Sequence, residues 1–201
     1  MRIGIIGTGH VATALAAGWA GKHDVFFASR HPAGKSGLPA PVKGYGDLAS
    51  AELIVTATPG GQTLDILQQI GAGVLDGKIL LDVGNAADAQ FSLLYPNGSL
   101  AAKIQEAYPG AKVIKALNTF NTTIMTNPGS LSASTTAFVS GNDDAAKRAV
   151  IDLHTALGWK AADVIDLGTI DAARAQEHYF YLFFAILRTV GGPAFNIKVV
   201  R

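Results

Sequence analysis

The sequence predicts an α/β protein built on a doubly wound parallel sheet, and three observations carry that expectation. Short apolar, β-rich runs alternate with helical patterns along most of the chain. The first run, Ile3–Ile6, turns through Gly7-Thr8-Gly9 into a stretch where Val11, Ala14, Leu15, Gly18 and Trp19 recur at helical spacing. A second run, Val25–Ala28, returns after that helix and completes a strand–helix–strand unit.

The remaining elements follow in order. Pro32, Pro39 and Pro41 forbid a helix in His31–Gly46, so the next crossover is abbreviated, with a short strand at Val42–Lys43 and a small helix at Asp47–Ser50. Leu53–Thr58 reads as a buried strand ending at Pro59-Gly60-Gly61. A helix over Gln62–Ile70 places Leu64, Leu67 and Ile70 on one face, and Lys78–Val83 is the next strand, closed by Gly84-Asn85-Ala86-Ala87. Residues 99–107 suit a helix, and Lys112–Leu117 a strand running into Asn118–Asn121. Thr135–Val139 is a further strand, Asn142-Asp143 caps a helix over Ala145–Leu157, and Ala162–Asp166 is a short strand. From Thr169 a last helix gathers Tyr179, Phe180, Tyr181, Phe183 and Phe184, and Gly191-Gly192-Pro193 ends it. That helix is apolar nearly all round, so it is expected to pack on more than one surface, a second subunit included.

Of the 201 residues, 49% are apolar, 15% are charged, and the net charge is +1. This balance gives no electrostatic case for a nucleic-acid or membrane-surface partner. The chain has no cysteine, which excludes disulfides, thiolate catalysis and cysteine-bound metal, and no metal site is expected. Tyr179–Leu187, the longest apolar run, is well short of the roughly 20 residues that span a bilayer. The N-terminal residues are themselves a core strand rather than a signal peptide, and a soluble, cytoplasmic protein is expected.

The Gly7–Ala12 window reads GxGxxA between a strand and a helix, where a dinucleotide-binding turn belongs. Gly7 allows the tight reversal, Gly9 has no side chain to block a pyrophosphate, and free N–H groups around His10 and Val11 face the anion. Glycine turns also follow strands for structural reasons alone; here the flanking elements favour the nucleotide. At the end of the second strand an NAD site carries Asp or Glu, whereas this chain has Ser29-Arg30-His31 and then Lys35. A hydroxyl, a guanidinium and an ammonium suit a 2′-phosphate, so NADP(H) is the expected cofactor.

Ligands of such sheets bind beyond the carboxyl ends of the strands. That rule selects Gly7–Val11, Ser29–Arg30, Thr58–Gly61, Gly84–Asn85 and Asn118–Phe120. Thr58, Pro59, Gly84 and Asn85 are expected along the ribose and nicotinamide. Asn118 and Phe120 are the candidates at the reacting end.

No acid–base apparatus stands out. Tyr108-Pro-Gly-Ala-Lys112 matches the Tyr-x-x-x-Lys letters of short-chain dehydrogenases, but Pro109 and Gly110 place it in a turn. His23 and His31 fall in turns, His154 on an expected exposed helix face, and His178 with Glu177 forms a lone pair on the last helix that suits structure better than catalysis. Hydride transfer to a flavin-like ring needs stacking and positioning more than a strong base.

With Ile3–Ala14, Ser29-Arg30 with Lys35, Val113–Phe120, Phe138–Asp144 and the closing Leu187-Arg188, Gly191-Gly192 and Ile197-Lys198, the chain resembles the coenzyme F420-dependent NADP oxidoreductases over nearly its whole length. The N-terminal module alone is also similar to those of membrane ferric reductases and pyrroline-carboxylate reductases. The resemblance implies an NADP(H)-binding homodimer that moves hydride to or from a deazaflavin or flavin, a small-molecule redox acceptor. It implies that Thr8, Ser29, Arg30 and Lys35 hold the 2′-phosphate. The family's deazaflavin reductases carry His at the Asn118 position and an aliphatic residue at that of Phe120, so the acceptor is left open. Alternatives are a regulatory module that binds NADP(H) without turnover and an imine reductase of the pyrroline-carboxylate type. Residues 1–140 are expected to form the NADP-binding Rossmann domain. Residues 141–201 are expected to form a C-terminal α/β and helical extension for the acceptor site and dimer contacts.

Overall fold

The computed structural model describes residues 1–200. Eight strands, β1 (Arg2–Ile6), β2 (Asp24–Ala28), β3 (Val42–Lys43), β4 (Leu53–Thr56), β5 (Ile79–Asp82), β6 (Lys112–Ala116), β7 (Ala137–Gly141) and β8 (Val164–Asp166), form one sheet. Their order is β3-β2-β1-β4-β5-β6-β7-β8. All pairs from β3 to β6 are parallel, β7 runs antiparallel to β6, and β8 is parallel to β7. The doubly wound α/β architecture is therefore present with two strands reversed.

The reversal has a local cause. A parallel return from β6 needs an element long enough to recross the sheet. The chain after β6 instead holds the five-residue helix α5 (Thr122–Thr126) and a single 3-10 turn, so β7 starts from the end at which β6 finished. The expected junction at 140/141 falls inside β7, and β8 extends the same sheet.

Period-two alternation sorts the core onto two faces. Ile3, Ile5, Val25, Phe27, Leu53, Val55, Leu81 and Ile114 point one way, toward α1 (His10–Trp19), α5 and α6 (Asp144–Ala156). Ile6, Phe26, Ile54, Leu80 and Val113 point the other way. There they meet a 3-10 helix at Tyr45–Ser50, α2 (Thr63–Ile70), α3 (Ala72–Leu75) and α4 (Leu100–Ala107). The last helix, α7 (Ala173–Val190), follows a 3-10 turn at Ile170–Ala172 and stops at Gly191, whose φ of 76° supplies the left-handed cap.

His154 corrects an expectation. It is 0% exposed on the inner face of α6, beside Val150 and Leu153, with Nδ1 2.8 Å from the Val150 carbonyl. Burial pushes its pKa down from 6.5 to about 4, with the Val150 hydrogen bond opposing. Between those two pH values the unfolded chain takes up a proton that the folded chain refuses, so stability falls as pH falls. His154→Leu is expected to reduce the loss of unfolding free energy between pH 7 and pH 5 by about 2 kcal/mol, measured by urea titration at each pH.

Candidate active site

The first βα turn is shaped by its glycines. Gly7 has φ +110°, and a Cβ there would lie 2.4 Å from the Ala57 carbonyl oxygen. Gly7→Ala is expected to cost about 2 kcal/mol of stability and to disturb the turn, read by thermal unfolding and NADPH titration. Gly9 precedes α1, whose start no described side chain caps and whose first turn holds no acid. A Cβ on Gly9 would meet nothing within 4 Å, so open space lies above these unclaimed N–H groups. That is a cradle for an anion, and a dinucleotide pyrophosphate fits it.

At the end of β2 the chain builds a basic wall. The Ser29 hydroxyl accepts from the His31 amide at 3.2 Å and shapes the turn. Lys35 reaches back to donate to Thr8 Oγ1 at 2.9 Å, and the exposed Arg30 guanidinium lies 3.5 Å from Gln69 Oε1. Gly7, Thr8, Ser29, Arg30 and Lys35, with Asp65 and Gln69 of α2, line a cavity of about 430 Å³. A second cavity of about 250 Å³ is lined by Gly9, His10, Val11 and Gly84. A third, of about 350 Å³, is lined by Asn85, Asn118 and Phe120 with Phe180, Phe183 and Phe184 of α7. Thr58 and Pro59 line all three, which joins them as one groove across the carboxyl ends of the strands. The residues selected from the sequence border this groove, except Gly61, which lines none of the three cavities, and Thr119, which lines a separate one.

The far end of the groove is amide-rich and aromatic. Asn85 and Asn118 clasp each other, with Asn118 Nδ2 2.9 Å from Asn85 Oδ1 and Asn85 Nδ2 3.0 Å from the Asn118 carbonyl. Leu117, buried and at φ 63°, makes the left-handed step that turns Asn118 out of β6. Phe120 is only 6% exposed and stacks on Trp159 at 4.8 Å, so it presents a margin of its ring to the cavity. None of the residues lining this third cavity is an acid or a base.

The model of a family described as "NADP oxidoreductase coenzyme F420-dependent" matches residues 2–86. The structure of a candidate F420-dependent NADP-reductase from Arthrobacter sp. FB24 superimposes with a TM-score of 0.92 and 35% identity, covering 100% of both chains. The chain belongs to the coenzyme F420-dependent NADP oxidoreductase family. A hypothetical protein from Sinorhizobium meliloti is 29% identical, with a TM-score of 0.69 over 86% of this chain and 87% of that one. Pyrroline carboxylate reductase from Plasmodium falciparum, at 17% identity and a TM-score of 0.61, covers 94% of this chain and 68% of that chain. At that identity it shows the shared fold alone.

One feature of this family member lay beyond the sequence expectations. Lys115 is 0% exposed, 2.7 Å from Asp82 Oδ2 and 2.9 Å from Glu177 Oε1, and it also donates to the Gly84 carbonyl. Asp82 Oδ1 accepts from Thr56 Oγ1 at 3.0 Å and from the Gly84 amide at 3.2 Å. Glu177 accepts from the Leu100 and Ala101 amides at 3.0 and 3.3 Å, capping α4. Burial on its own would lower the Lys115 pKa, but the two carboxylates outweigh it and hold the pKa above its ordinary value. Glu177 is thereby committed to the sheet and forms no acid–base pair with His178, which is absent from the groove lining. The legible signal was a lysine and an aspartate at inward positions of apolar strands, Lys115 between Ile114 and Ala116 and Asp82 after Leu81.

No helix among the described residues is long and apolar enough to cross a membrane.

Proposed function

We propose that this protein transfers hydride between NADP(H) and a deazaflavin or flavin-like acceptor. The observation that carries the reading is one groove with a basic wall at one end and an aromatic cavity without acids or bases at the other. NADPH, when bound, supplies the hydride. Ser29, Arg30 and Lys35 bind the 2′-phosphate by charge-assisted hydrogen bonds, and the N–H groups around Gly9, His10 and Val11 bind the pyrophosphate. Thr58, Pro59, Gly84 and Asn85 border the path that the nicotinamide would take, and Asn118 and the margin of Phe120 would hold its ring. Phe180, Phe183 and Phe184 exclude water and offer faces for a planar acceptor to stack on. A conjugated acceptor that spreads the incoming negative charge through its own ring needs no proton from the protein, which matches a cavity without titratable lining.

Stopped-flow absorbance tests this reading. NADPH is mixed with the protein and a panel of deazaflavin coenzyme, FMN, FAD and ferric chelates. Oxidation with a ring acceptor is expected. Tight NADPH binding with no oxidation by any acceptor would instead indicate a nucleotide-binding module without turnover.

The same reading includes a homodimer in the cytoplasm. Leu182 and Val190, two turns apart on α7, are 52% and 57% exposed, apolar side chains that a second copy would cover. Light scattering at micromolar concentration is expected to give twice the chain mass, and Leu182→Glu to shift it toward the monomer.

A further inference from the structure

We propose that Lys115, which touches no ligand, is the positioning residue for the nicotinamide end of the groove. The inference rests on the NADP reading above. Gly84 is gripped on both sides: its amide donates to Asp82 Oδ1 at 3.2 Å, and its carbonyl accepts from the Lys115 ammonium. The next residue is Asn85, whose amide group makes the reciprocal pair with Asn118. The direction of the 84–85 peptide, and with it the Asn85–Asn118 clasp, therefore depends on a charge fixed at the carboxyl ends of the central strands β5 and β6.

The same ammonium holds the opposite wall. Glu177 lies on α7 one turn before Phe180 and two turns before Phe184, so all three share a helix face. Asn118 Nδ2 also donates to the Gln176 carbonyl at 3.0 Å, and Gln176 Oε1 accepts from the buried Ser140 hydroxyl at 2.5 Å. Lys115 thus links the floor carrying Gly84 and Asn85 to the helix carrying the aromatic wall. The separation of those two surfaces decides whether two stacked rings reach hydride-transfer distance. An ion triad of this kind costs desolvation that an apolar replacement avoids, so fixed geometry is the gain that matches its cost.

The test compares two ligands that share an adenosine end. Adenosine 2′,5′-bisphosphate lacks the nicotinamide, and NADPH carries it. Lys115→Met/Asp82→Asn removes one positive and one negative charge and leaves Glu177 with its two amide donors. Asp82→Asn alone keeps the ammonium on the Gly84 carbonyl. The double variant is expected to lose about tenfold or more in NADPH affinity with bisphosphate affinity within about twofold, and Asp82→Asn, whose amide oxygen can still accept from Gly84, to lose less than the double variant. Parallel losses for the two ligands, unchanged NADPH binding, or an equal loss in Asp82→Asn would overturn the role of Lys115. Wild-type protein that binds neither ligand would overturn the NADP reading beneath it.

A second measurement needs no variant. With lysine nitrogen-15 labelling, NADPH is expected to shift the Lys115 ammonium resonance and the bisphosphate to leave it in place. Absence of any shift with bound NADPH counts against the proposal even if the double variant does not fold.

Discussion

Arg30→Ala is expected to weaken NADPH binding by about 2 kcal/mol, or about 30-fold, while leaving NADH nearly unchanged. Arg30 is exposed at the end of β2, with only a 3.5 Å contact to Gln69 Oε1, so its removal leaves no buried group without a partner. The loss therefore reports the ligand contact rather than damage to the fold. Lys35 remains in the same cavity and keeps part of the 2′-phosphate affinity. Calorimetric titration of both cofactors against wild type and variant makes the measurement. Equal losses for NADPH and NADH would mean that the guanidinium serves the shared part of the nucleotide.

Lys115→Met is expected to lower the unfolding free energy by about 3–5 kcal/mol. Removing the ammonium leaves Asp82 and Glu177, 0% and 2% exposed, facing each other without a counterion. Their hydrogen bonds to Thr56, Gly84, Leu100 and Ala101 offset part of the repulsion. The double variant Lys115→Met/Asp82→Asn is expected to recover much of the loss, because only one carboxylate then remains and it caps α4. Urea titrations of the three proteins give the comparison, and a single-variant loss below about 1 kcal/mol would show that the site takes in water.

The parts of the fold written in local chemistry were legible. The apolar alternation of β1, β2, β4 and β5 and the glycines at 7 and 9 define the parallel half before any tertiary contact is considered. The prolines at 32, 39 and 41 likewise announce the missing crossover helix, and the groove follows from the ends of those strands. What was not legible depends on long-range geometry. The direction of β7 is decided by how far the chain travels between residues 117 and 136, and α5, only five residues long, leaves little periodic signal. His154 looks like a solvent-facing polar residue until Val150 and Leu153 place its face against the sheet. The Lys115 triad joins residues from β5, β6 and α7, separated in sequence by 33 and 62 positions from the shared lysine, counting 115 − 82 and 177 − 115. Only the fold brings them together.

The proposed function requires direct hydride transfer between a bound nicotinamide and a ring acceptor. The most direct test reacts the protein with NADPH deuterated at the transferable position of the nicotinamide C4, with the deazaflavin coenzyme as acceptor, in ordinary water. Deuterium on the acceptor's ring carbon and a primary isotope effect on the single-turnover rate are expected. Reduced acceptor that carries hydrogen from solvent, or tight NADPH binding with no reduction, would contradict the proposed function.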